Sequence, residues 1–283
     1  MTQPALIQPQ TLQTPQTSLA TSVYTPEQLA VIQSLGFISA RERPPQRLVV
    51  SEAGLEKTGK THLPLTGRGP HFVFSIDLGT EGVVEKFVRA GAEVYVYQTH
   101  IQRALPPGVT QSQMHDYWRY QWEDLKTKLY QAYCLNPGTV FIDTMTEAYE
   151  LCRLANFGKL DQVMPHHYGI VYQDLKGIIT WAYDHPSAST VYSHKMGLKY
   201  GTQELEVKGW HDMEYQVQLN LRNGRINSEV AGEFPRFLLQ VKDCRANPFT
   251  NGYLLESTGI WPPPANEQCS LQYLEWFVHN YRP

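Results

Sequence analysis

Apolar positions along the chain follow two periods that alternate, and the alternation predicts a sheet wrapped by helices. Short β-branched and aromatic runs at residues 47–51, 71–77, 93–97, 139–143 and 189–193 read as strands. Between them, segments at 80–89, 114–134, 146–157 and 167–183 repeat apolar residues every three or four positions, the helical spacing. The longest places Trp118, Trp122, Leu125, Leu129 and Tyr133 on one stripe, which a helix would turn toward the core. Strands separated by helices imply a mostly parallel sheet covered on both faces, because each parallel pairing needs a crossover. Three later strand-like runs (216–221, 237–241 and 253–256) extend it as an antiparallel edge, and 270–281 reads as a terminal helix.

The chain divides by composition. Residues 1–24 are rich in Gln, Thr, Pro and Ser and carry no Asp, Glu, Lys or Arg, so they read as a disordered tail. Residues 25–46 form a short helix and linker, the helix capped by Thr25 with Pro26 at its first position. The core is expected over 47–258, with a C-terminal helical segment at 259–283. The chain lacks both an apolar run long enough to span a membrane and a basic-then-apolar leader, so a cytoplasmic location without membrane contact is expected. Cys134, Cys152, Cys244 and Cys269 are too scattered for a metal knuckle or a disulfide framework. A formal net charge of −3 gives no global attraction to nucleic acid, so any such contact needs a local basic surface.

One motif changes the picture. Gly54-Leu55-Glu56-Lys57-Thr58-Gly59-Lys60-Thr61 matches the phosphate-binding loop G-x-x-x-x-G-K-[ST], directly after a predicted strand. Its glycines let the backbone turn tightly so that successive amides point inward at an anion. Lys60 is expected on the β- and γ-phosphates and the Thr61 hydroxyl on Mg²⁺. Pro64 predicts that the helix opened by the loop is short, since proline is tolerated only in a first turn. A second apolar strand ends in Asp143, the position expected of a carboxylate that helps hold Mg²⁺.

These segments, with Ile76-Asp77-Leu78-Gly79-Thr80-Glu81-Gly82, Asp143-Thr144 and Ser193-His194-Lys195, resemble phage-encoded P-loop ATPases with a RecA-like core. The resemblance implies a three-layer α/β P-loop NTPase fold, ATP with Mg²⁺, assembly into homo-oligomers, and work on single-stranded DNA in phage recombination or replication within the host cytoplasm. It places the water-orienting carboxylate at Glu81 or Asp77, with Glu81 slightly favoured, and a γ-phosphate sensor at His194. Lys195, Lys199 and Tyr200 then fall in a flexible, glycine-containing stretch placed to meet DNA, with Lys208 close behind. Arg222, Arg225, Lys242 and Arg245 are candidates for a cation inserted into a neighbouring subunit's site. Two other readings share the loop: a P-loop kinase, and a nucleotide-driven structural switch with little turnover. The sparse arginines of the central region (Arg103, Arg119, Arg153) disfavour a kinase lid.

Overall fold

The computed structural model describes residues 25–35, 47–159, 163–210, 212–227, 235–258, 260, 262–264 and 266–282. The expected tail (1–24) and the linker at 36–46 lie outside the described residues. The chain divides into two units, Met1–Pro45 and Gln46–Pro283. In the first, helix α1 (Pro26–Ser34) starts at a reciprocal cap: the Thr25 amide donates to the Gln28 side chain, and the Gln28 amide to the Thr25 hydroxyl.

Among the described residues, the second unit holds a nine-stranded sheet. Its strands are β1 (Val49–Gly54), β2 (His71–Ser75), β3 (Val94–Gln98), β4 (Thr139–Asp143), β5 (Ser189–Leu198), β6 (Leu205–Val207), β7 (Leu219–Ile226), β8 (Arg236–Cys244) and β9 (Leu254–Glu256). The order is β3-β2-β4-β5-β1-β7-β8-β9, with β6 paired to β5. From β3 to β7 every pairing is parallel, while β7–β8, β8–β9 and β5–β6 are antiparallel. This is the mostly parallel α/β architecture with the antiparallel edge that the hydrophobic pattern predicts. The chain leaves β1 toward β2 on one side and later returns to β7 on the other. That reversal opens a crevice at the carboxyl end of β1, where ligands of such sheets bind.

Alternate side chains of the strands feed two cores. Val49, Val140, Ile142 and Tyr192 pack with α4 (Gln111–Cys134), α5 (Met145–Phe157) and α6 (Gly169–Asp184). Val50, Phe141, Val191 and Leu221 pack on the other face with α2 (His62–Leu65), α3 (Val83–Arg89) and α8 (Leu271–Asn280). Helix α7 (Met213–Gln216) is a single turn before β7. The stripe of α4 is buried throughout, with Trp118 and Trp122 each 2% exposed and Leu129 fully enclosed. The Trp118 indole also donates to the Gln102 carbonyl at 2.9 Å. Trp118→Ala is therefore expected to cost roughly 3–5 kcal/mol, seen as a lower denaturant midpoint with an unchanged slope.

Three local readings change. Helix α4 begins three positions earlier than its apolar period, because Thr110 and Gln113 form a capping box. The segment after β2 forms a 3₁₀ turn, Leu78–Thr80, before α3 starts at Val83 rather than at residue 80. The stretch after residue 193, predicted as a flexible loop, instead continues β5 and folds back as a hairpin, with Met196 opposite Val207 and Leu198 opposite Leu205.

Candidate nucleotide site

Strand β1 runs into the loop at Gly54, and both motif glycines answer to sterics. A Cβ on Gly54 would lie 2.4 Å from the Thr58 hydroxyl oxygen. One on Gly59, whose φ is +91°, would lie 2.9 Å from the Phe237 ring. The loop is closed by the Thr58 hydroxyl donating to the Leu55 carbonyl at 2.8 Å. Lys60 folds over it, its ammonium donating to the carbonyls of Gly54 (3.0 Å) and Leu55 (2.6 Å). Among the described residues, no internal acceptor takes up the amides of residues 56–61. Free donors gathered in one turn suit a polyphosphate. The helix that follows, α2, has only four residues, with Pro64 among them. Its macrodipole adds less than the motif suggests, so the loop's own amides and Lys60 supply most of the attraction.

The second strand reaches the same place. The Thr61 hydroxyl donates to one Asp143 carboxylate oxygen at 3.1 Å, and the Ser193 hydroxyl to the other at 2.7 Å. Asp143 is 3% exposed. Burial raises its pKa, while the Ser193 and Thr61 hydroxyls pull it back. The Asp143 carbonyl also accepts the amides of Ile76 and Asp77, which ties the end of β2 to this point. A hydroxyl and a single carboxylate fit Mg²⁺, which takes few protein oxygens and completes its shell with phosphate and water. Among the described residues no cluster of three or more His, Cys, Asp or Glu forms a protein-only metal cage.

A cavity of about 620 Å³ joins these parts, lined by the loop, Asp77, Gly79, Asp143, Thr144 and Lys195. An adjoining cavity of about 240 Å³ is mainly apolar and shares Gly59, His62 and Phe237 with it. The charged cavity is the one whose chemistry matches a triphosphate. Lys60 is pulled two ways there: burial lowers its pKa, and the nearby carboxylates of Glu52 and Asp143 favour its charge.

Several predicted residues take other places. Glu81 is exposed and does not line the cavity, whereas Asp77 does, so Asp77 is the carboxylate at hand. His194 is fully buried, and neither ring nitrogen has a hydrogen-bond partner among the described residues. The cause is strand alternation: Ser193 faces Asp143, so its neighbour His194 points to the opposite face, away from the site. Burial holds the imidazole neutral, its pKa lowered to about 4. Lys195 is in the cavity wall rather than on a DNA-facing loop, paired with Asp77 at 2.8 Å and Glu147 at 2.7 Å. Burial works against its charge, but the two carboxylates outweigh it and raise the pKa above the ordinary lysine value.

The hairpin beyond it is charge-balanced: Lys199 lies 4.0 Å from Glu204, and Lys208 lies 2.9 Å from Glu206. Tyr200 is fully exposed at its turn. Among the proposed inserted cations, Arg222 and Lys242 both pair with Glu214. Arg245 lies next to Gln218, before the start of β7 and so at the other end of that strand from the loop. Arg225 instead contacts the loop of its own chain, through the Lys57 carbonyl at 3.5 Å.

The motif reading missed Glu52. This residue is fully buried on β1, one oxygen accepting from Asn223 at 2.8 Å and the other without a partner among the described residues. Burial raises its pKa well above the carboxylate range, against the Asn223 hydrogen bond and the Lys60 charge. A glutamate inside a short, mostly apolar strand, two positions before the loop, was the available signal.

No family model matches the chain, and no curated protein matches it. Among solved structures it is similar to "Crystal structure of the RadB recombinase", with 14% identity and a TM-score of 0.46, over 80% of this chain and 91% of that one.

Proposed function

We propose that this chain binds ATP with Mg²⁺ at residues 54–61 and hydrolyses it. The observation that carries this reading is the Thr61–Asp143 hydrogen bond, which brings the last residue of the loop and the end of β4 together although β5 lies between their strands. The loop amides and Lys60 would hold the phosphates, and Thr61 and Asp143 would hold Mg²⁺, which supplies charge neutralisation at the transferring group. Asp77, in the wall of the cavity, would orient the attacking water. The test is release of phosphate from ATP without any acceptor. A kinase would give none. Asp77→Asn is expected to lower turnover about 10²-fold or more, within the range for general-base removal, while Glu81→Gln leaves it near the parent value. The reverse ranking would return the role to Glu81.

The resemblance extends the proposal to single-stranded DNA, in recombination or replication of a phage. Tyr200 is the residue at hand for stacking a base and Lys199 for a phosphate. Phosphate release measured with and without single-stranded DNA separates the two levels. Stimulation that Tyr200→Ala removes supports the DNA role, and no DNA binding at low salt leaves an ATPase alone. No helix among the described residues is long and apolar enough to cross a membrane.

A further inference from the structure

Lys195 occupies an unusual position for a lysine with two carboxylate partners. Its backbone is fixed: the amide donates to the Thr146 hydroxyl at 3.1 Å, and the carbonyl accepts from the Lys208 amide at 2.8 Å. In the sheet its Cα is registered against that of Gly54, the first residue of the loop, on the adjacent strand. Neighbouring strands lie about 4.8 Å apart, so the side chain starts beside the loop, and it lines the same cavity. It is 39% exposed.

The two partners are not equivalent. Glu147 is 11% exposed and keeps a second cation, Arg103, on its other oxygen. Asp77 is 35% exposed and has Lys195 as its ion-pair partner among the described residues. If the ammonium leaves, Glu147 stays neutralised and Asp77 turns to water, so departure strands no buried charge. While the ammonium stays, it occupies a carboxylate oxygen of Asp77 that would otherwise accept from a water.

Resting on the proposed ATPase reading, we propose that Lys195 is a switch within its own subunit's site. It holds Asp77 while the site lacks a triphosphate, and moves to the terminal phosphate when ATP binds, releasing Asp77 to orient water. In the step it enables, the water oxygen bonds to the γ-phosphorus as the bond from that phosphorus to the β–γ bridging oxygen breaks. The electron pair of that bond goes to ADP, and a water proton goes to Asp77 and then to solvent. ADP offers no charge at the position that draws Lys195 away, so Asp77 stays held after turnover.

The test compares equilibrium affinities for ADP and for a non-hydrolysable ATP analogue, with Mg²⁺, in the parent, Lys195→Met and Lys195→Arg, alongside phosphate release. Lys195→Met is expected to bind ADP within about threefold of the parent, to lose at least about tenfold in preference for the triphosphate analogue, and to lose about 10²-fold in turnover. Lys195→Arg, which keeps the charge, is expected to recover part of the triphosphate preference. A purely structural lysine would move both nucleotides alike. Parent-like preference and turnover in Lys195→Met would overturn this proposal alone. A parent chain that binds no nucleotide would overturn the ATPase reading and this proposal with it.

Discussion

Lys60→Ala is expected to weaken ATP binding at least about 100-fold while leaving the fold intact. The ammonium donates to the Gly54 and Leu55 carbonyls, and burial disfavours its charge. A phosphate chain would replace those weak acceptors with charged ones. A hydrogen bond between charged groups is worth roughly 1.5–3 kcal/mol, so losing two of them removes two orders of magnitude or more in affinity. The fold should tolerate the change, because both present partners are backbone oxygens of the loop itself rather than core groups. Titration with a fluorescent ATP analogue gives the affinity and a thermal melt gives the fold. Undiminished binding by a well-folded variant would move the phosphates elsewhere.

Asp143→Asn is the second large effect, and it should fall on turnover. Asparagine keeps the size of the side chain; of the Thr61 and Ser193 hydroxyls that donate to Asp143, the one facing the amide nitrogen can rotate to accept, and the other still donates to the amide oxygen. What disappears is the negative charge beside the metal position. Turnover is expected to fall about 10²–10³-fold, the range for losing one electrostatic contact to a transition state, and higher Mg²⁺ should recover part of it. Nucleotide affinity measured in EDTA should match the parent. Equal loss with and without Mg²⁺ would show that Asp143 serves the loop's shape instead of the metal.

How much of this could be read from the chain depended on how local each feature is. The loop is eight consecutive residues with a strand before it, so Gly54 to Thr61 and the short α2 are legible directly. The place of Asp143 beside the loop is legible because an apolar strand ending in a carboxylate is a local pattern. The sheet followed from the alternation of strand and helix periods, and its antiparallel edge from the missing helices after residue 216. Assigning His194 failed for a one-residue reason. With a side-chain period of two, an error of one position exchanges the site face for the core face, and nothing local fixes that phase at the end of β5. Ser193 and Lys195 are the residues that face the site. Which of Asp77 and Glu81 lines the cavity turned on the 3₁₀ turn between them, where the pattern gave only a helix starting at residue 80. Glu147 and Arg103, which complete the ion-pair chain around Lys195, come from a helix and a loop far apart in sequence. No spacing rule joins them.

The central claim is that the backbone amides of residues 54–61 wrap a triphosphate. Hydrogen–deuterium exchange on the full chain, with and without ATP and Mg²⁺, tests it where the contact is made. These amides lack internal acceptors among the described residues, so without nucleotide they should exchange early. Nucleotide should slow exchange in peptides covering 54–61 and in those ending at Asp143, and Lys60→Ala should abolish the protection. Saturating nucleotide that protects another region and leaves 54–61 exchanging as before would contradict the account.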